Sequence, residues 1–356
     1  MSSDEELPTP ATEALVHAVE RIQETLGRFR GEIGQVIVGQ EQVVTDLFTA
    51  LLAGGHVIIE GVPGLAKTLL IQSMASATSL AFGRIQFTPD LMPSDVTGTL
   101  VVQEDPSSGF RDFVFRKGPV FVNVLLADEV NRTPPKTQAA LLEGMSEGRV
   151  TVGGARHKLP EPFFVLATQN PIEQEGTYNL PEAQLDRFLY KVLIDYPNEP
   201  EEAEVLRRTT GTTSSSIDSV LSLDDIVQLQ KIARSLPTSP HIREYATRIV
   251  RATRPGDEAA PGWVSEYLAW GAGPRAVQSM LVAAKARTLI SGRFSVTRRD
   301  IRDVAFPVLR HRILPSFQAE GEGQSADDLI ARLLLETSAF KPKGRHDEVT
   351  RKILRL

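Results

Sequence analysis

Residues 57–69 read VIIEGVPGLAKTL, a β-branched apolar run that breaks into a glycine-containing loop and continues into lysine, threonine and leucine. The run has the composition of a short strand. Gly61 and Gly64 let the backbone fold around an anion and aim its amides at it, while the helix that follows presents its positive end. The segment Gly61, Val62, Pro63, Gly64, Leu65, Ala66, Lys67, Thr68 and Leu69 is therefore predicted to cradle the phosphates of ATP. Lys67 is expected to contact the β and γ phosphates, and the Thr68 hydroxyl to bind Mg2+. The common pattern has glycine immediately before the lysine, whereas this chain has Ala66. A methyl group fits there if φ stays negative.

Outward from the loop, the chain alternates strand and helix patterns. A helix is expected over roughly 40–53, before the strand. An earlier stripe at Leu15, Val19, Ile22, Leu26, Phe29 and Ile33 has helical spacing and is expected to pack on the domain behind it. Further apolar runs at Arg84–Thr88, Phe121–Ala127, Phe163–Thr168 and Lys191–Ile194 are separated by enough residues for crossovers. Five such strands predict an α/β fold, with a central parallel sheet covered by helices on both faces. Two hairpins interrupt the alternation. One pairs Thr99–Gln103 with Phe110–Arg116 across EDPSSG, and the other pairs Arg149–Val152 with Arg156–Leu159 across Gly153 and Gly154.

The polar stretch TTGTTSSSIDS at 209–219 predicts a linker, and beyond it helical spacing replaces strand alternation. The expected organisation is a disordered tail over 1–10, an ATPase core over 11–208 with hairpin insertions near 98–116 and 148–160, a linker over 209–223, a smaller all-helical lid over 224–345 and a tail over 346–356.

Two more strand ends carry chemistry. VLLADEVNR ends in Asp128 and Glu129, 61 positions after Lys67. Asp128 is expected to hold magnesium through its water shell, and Glu129 to orient and polarise an attacking water. FFVLATQNP ends near Asn170, the candidate contact to the γ-phosphate or that water.

The strings GVPGLAKT, LLADEVNRTPPKTQAALLEGM, ATQNPIEQEGTYNLPEAQLDRF and GAGPRA occur in order and together resemble the AAA+ ATPases, and within them the MoxR family, over roughly residues 33–315. The resemblance implies that Arg187 is an arginine finger supplied to a neighbouring subunit, and that Arg275 is a second sensor arginine reaching the γ-phosphate of its own chain. It implies that Val38, Gly39 and Gln40 line the adenine pocket and that Arg132 faces the subunit boundary. It also implies a ring, expected to be a hexamer, acting on a protein client together with a von Willebrand factor A domain partner.

Composition narrows the function classes. With 39 basic and 45 acidic side chains, the formal charge is −6, which does not favour general binding to nucleic acid or anionic membrane. There are no cysteines, so disulfides and thiol nucleophiles are excluded, in keeping with an expected cytoplasmic location. No run approaches the length of a membrane span, and the start, MSSDEELPTP, lacks the pattern of a secretory signal. The histidines at 17, 56, 157, 241, 311 and 346 show no ligand spacing. Three readings stay open: a ring ATPase that remodels proteins, a binding module whose assembly is switched by nucleotide, and a chelatase-like or nucleic-acid motor.

Overall fold

A computed structural model describes residues 10–104, 111–171, 177–210 and 216–339. The terminal tails, the EDPSSG turn and the centre of the Ser/Thr-rich stretch fall largely outside the described residues.

The chain opens with helices α1 (Pro10–Val36) and α2 (Glu41–Ala53), then β1 (Val57–Glu60), α3 (Lys67–Ala77), β2 (Phe82–Gln86) and the short α4 (Pro93–Thr97). A hairpin of β3 (Gly98–Glu104) and β4 (Arg111–Lys117) precedes β5 (Val124–Asp128) and α5 (Pro135–Glu147). A second hairpin, β6 (Arg149–Val152) and β7 (Ala155–Lys158), is followed by β8 (Phe164–Gln169), α6 (Glu182–Leu185), β9 (Tyr190–Leu193) and α7 (Glu199–Thr209). Helices α8 (Leu223–Ser235), α9 (Pro240–Ala252) and α10 (Val264–Tyr267) lead to β10 (Leu268–Trp270), α11 (Pro274–Ile290) and α12 (Arg298–Leu309). The remainder is β11 (Leu314–Pro315), α13 (Phe317–Gly321) and α14 (Ala326–Ala339).

Five strands form one parallel sheet in the order β2-β5-β8-β1-β9. Alternate residues of each strand face opposite sides, and both sides are covered. Val57 and Ile59 join the apolar cluster built on α1, α2 and α3, whereas Ile58 joins the cluster under α5. The cluster on the first face continues without a break into Met280, Ile301 and Leu333 of the C-terminal helices. The lid is thus packed behind the sheet, against α2 and α1, and not over the ends of the strands. To its helices it adds a small antiparallel ribbon, with Trp270 opposite Leu314.

Register orients the whole molecule. Val57 pairs with Tyr190 and Glu60 with Leu193, so residues just before β9 lie at the opposite edge of the sheet from the loop that follows β1. Even a four-residue strand separates the two edges by roughly 13 Å.

His56, buried immediately before β1, ties this frame together. Its Nε2–H donates to Met145 O at 3.1 Å, and its Nδ1 accepts from the Val165 amide at 3.1 Å. The contact from the Val165 amide requires the neutral ring, and burial lowers its pKa from 6.5 to about 4, against the Met145 carbonyl, which favours the charged form. A histidine kept neutral by folding contributes stability that is complete above pH 6.5 and is lost as pH falls toward 4. Lowering the pH from 8 to 5 should therefore remove about 2 kcal/mol through this group. Asp46, whose pKa burial raises to about 6, acts in the opposite sense over the same interval. Urea unfolding of the wild type and His56→Gln at both pH values isolates the histidine contribution: the variant should lose about 2 kcal/mol less. Equal losses would rule the assignment out.

Candidate nucleotide site

The loop after β1 has the shape required of an anion cradle. Gly61 is packed so closely that a Cβ would lie 2.7 Å from Ile194 O, and Gly64 adopts φ +86° with open space around it. Ala66 departs from the expected negative φ. It sits at φ +53° in the left-handed region as the residue capping α3, a conformation that costs an alanine roughly 1–2 kcal/mol. The turn into the helix demands it. No side chain caps α3, so its first amides point into the exposed loop, an arrangement suited to phosphate oxygens. The Lys67 ammonium lies back on Gly61 O. Burial lowers its pKa, against the pull of Asp128 and Glu129.

The acidic pair stands at the same edge of the sheet, one strand beyond β8. Thr168 Oγ1 donates to Asp128 Oδ1 at 2.6 Å and accepts from the Glu129 amide at 2.8 Å, so a single buried hydroxyl holds both residues. Asp128 Oδ2 pairs with Arg84 Nη2 at 2.7 Å. Glu129 Oε2 accepts from Gln86 Nε2 at 2.8 Å and from Arg132 Nη1 at 3.0 Å. Glu129 itself lies at φ +56°, strained backbone of the kind that collects where a side chain must be aimed. Asn170, buried at the end of β8, stands between the acids and the phosphate loop. Behind them Gln138 Nε2 donates to Val130 O, Thr133 O and Tyr178 O, fixing the turn that follows the acids.

Val38 and Gly39 border a cavity of about 600 Å³ shared with Ile37, Arg30 and Arg208, and Gln40 follows them in the chain without lining it. Gly39 and Gln40 are both left-handed, and Gln40 Oε1 is buried with no hydrogen-bond partner among the described residues, an acceptor suited to an amine such as that of adenine. For magnesium, the donors at hand are the Thr68 hydroxyl and the Asp128 carboxylate. Hard oxygen donors with only one carboxylate suit an ion that keeps several waters and shares its shell with phosphates.

Two predicted residues are not part of this cluster. Arg187 is exposed at the far edge of the sheet, its Nη1 donating to Leu142 O at 3.1 Å and Ser146 Oγ at 2.5 Å at the end of α5. Arg275 was expected to reach the nucleotide of its own chain, and this expectation is corrected. Its Nη1 pairs with Asp186 Oδ2 at 3.2 Å, beside Arg187, because the lid docks behind the sheet and brings the start of α11 to that same far edge. Arg132, expected at a subunit boundary, has its guanidinium on Glu129 of its own chain.

Sequence reasoning missed Arg84, Gln86 and Thr168, which hold the acids, and Arg312, which anchors the lid. Polar residues alternating with buried Ile85 in RIQF were the available signal for the first two. Arg312 is buried and makes six hydrogen bonds, to Asp186 Oδ1 and O, Phe188 O, Leu189 O, Val308 O and Ser279 Oγ. With Arg310 on Lys191 O and His311 on Phe188 O, it clamps the end of α12 to the chain entering β9.

A parallel sheet of this order, a phosphate loop after β1, acids at the end of β5 and a helical lid define a P-loop ATPase of the AAA+ class. Two family models agree: one described as "ATPase family associated with various cellular activities (AAA)" matches residues 56–190, and one described as "AAA lid domain" matches residues 262–333. The chain is 42% identical to Chaperone MoxR1 of Mycobacterium tuberculosis over 329 residues, covering 92% of this chain and 85% of that protein. It is 40% identical to YeaC of Bacillus subtilis, covering 88% and 95% respectively, and 30% identical to protein MoxR of Methylorubrum extorquens over the same shares. A candidate ATPase of Cytophaga hutchinsonii, solved by crystallography, superposes with a TM-score of 0.82 at 39% identity, covering 92% of this chain and 98% of that one. The chain belongs to the MoxR family of AAA+ ATPases.

Proposed function

We propose that the chain works as a ring, a hexamer by family resemblance, in which ATP is hydrolysed between neighbouring subunits to remodel or mature a protein client. The observation that carries this reading is the division of charged groups between two edges of one sheet. Lys67, Thr68, Asp128, Glu129 and Asn170 lie at one edge, and Arg187 and Arg275 at the other, so a complete set of groups forms only where two subunits meet. In this reading Lys67 and the loop amides bind the β and γ phosphates, Thr68 and Asp128 hold magnesium, and Glu129 draws a proton from water aligned with Asn170. Magnesium, when bound, would neutralise charge on the phosphate oxygens. Arg187 and Arg275 of the neighbour act on the charge that develops at the γ-phosphate.

The likeness to Chaperone MoxR1 of Mycobacterium tuberculosis supports a chaperone role, and the von Willebrand factor A domain partner rests on family resemblance. No described helix is long and apolar enough to cross a membrane. A cytoplasmic location is part of the proposal.

The test is turnover measured against protein concentration alongside mass by light scattering. ATPase activity per subunit should rise with the fraction assembled, and a single subunit should be nearly inactive. Constant specific activity across the transition would refute the shared-site reading.

A further inference from the structure

Asp128 has two carboxylate oxygens, and the protein already uses both. Oδ1 takes the Thr168 hydroxyl, whose other lone pair receives the Glu129 amide; Thr168 is buried, and its contacts fix the turn at the acids. Oδ2 takes the Arg84 guanidinium, whose side chain is 47% exposed on the outermost strand. Of the two bonds, the one to Arg84 is the easier to exchange, because water replaces the partner at a surface and not inside the sheet.

The same nitrogen of Arg84 donates to Gln86 Oε1 at 2.7 Å. Since a guanidinium can only donate, this contact sets the amide of Gln86 with its oxygen toward Arg84 and its nitrogen toward Glu129, where it donates at 2.8 Å. Arg84, Gln86 and Glu129 thus form one chain of hydrogen bonds that begins at the metal-facing carboxylate and ends at the candidate general base.

We propose that Arg84 is a positioning residue that holds Asp128 Oδ2 as a cationic placeholder and, through Gln86, orients Glu129. A divalent cation engaging Asp128 then competes with Arg84 for the carboxylate and loosens the grip of Gln86 on Glu129. The proposal rests on the reading of Asp128 as the magnesium residue and supplies what that reading lacks, a link between metal binding and the release of Glu129. The exposed pair is of the strength that a cation can displace, so the competition should be worth about two- to fivefold in apparent metal affinity.

The test is equilibrium binding of a fluorescent, non-hydrolysable ATP analogue to the full-length protein, titrated with magnesium. Arg84→Ala should lower the magnesium concentration at half-effect two- to fivefold without tightening binding of the analogue in EDTA. Arg84→Lys, which restores a competing positive charge, should return the half-point toward the wild-type value. An unchanged or raised half-point in Arg84→Ala overturns the placeholder, as does equal tightening with and without metal, which would report a general charge effect. If the wild type binds no analogue under any condition, it is the nucleotide site itself that fails.

Discussion

Subunits carrying Arg187→Ala are expected to hydrolyse ATP about 10³-fold more slowly than the wild type, and up to about 10⁵-fold, while binding it with nearly unchanged affinity. The effect is large because an arginine facing the transferred phosphoryl group neutralises charge that grows only in the transition state. Affinity should survive, since Arg187 lies across the sheet from Lys67 and its guanidinium bonds to α5 of its own chain. Mixing tests the direction of supply. Arg187→Ala subunits keep an intact acid pair but present no finger, whereas Glu129→Gln subunits present the finger but lack the acid. If the site is shared, mixed assemblies should recover activity that neither parent shows, because one kind of junction combines both sound halves. Absence of any recovery in assemblies shown to contain both subunits would place Arg187 outside the chemistry.

Glu129→Gln alone should reduce turnover by about 10²- to 10⁴-fold, the usual contribution of a positioned general base. Glutamine keeps the size of the side chain and can still receive the amide of Gln86 and the guanidinium of Arg132, so the strained turn at φ +56° should persist. What disappears is the capacity to take a proton from water. The variant should therefore bind ATP and retain it, which a filter-binding assay with labelled nucleotide can follow over hours. Rapid loss of nucleotide together with loss of turnover would mean that the residue serves binding. Retention makes the same protein the reagent for capturing a client.

Most of the phosphate-facing edge could be read from the linear sequence because each part is short, contiguous and placed by the end of its own strand. Lys67 follows its loop directly, and Asp128 and Glu129 close an apolar run. The supporting groups were hidden for a topological reason. Strands β2, β5 and β8 are neighbours in the sheet but distant in the chain, so Arg84 and Thr168 reach Asp128 only once the strand order is known. Arg275 misled for a related reason. Its position at a helix start is legible, but the edge of the sheet that this helix meets depends on how the lid docks, and many dispersed apolar contacts of Met280, Ala283 and Ile301 decide that. At Ala66 the tight entry into α3 overrides the preference of alanine for negative φ, which the side chain alone does not reveal.

Arg310, His311 and Arg312 form a clamp between the lid and the chain entering β9. It grips main-chain carbonyls from Asp186 to Lys191, leaving the lid little freedom to hinge against the sheet. Opening the lid as a jaw over its own nucleotide would require breaking these bonds together. In the proposed ring, each subunit would then move as one body, and a stroke would come from the junctions between subunits.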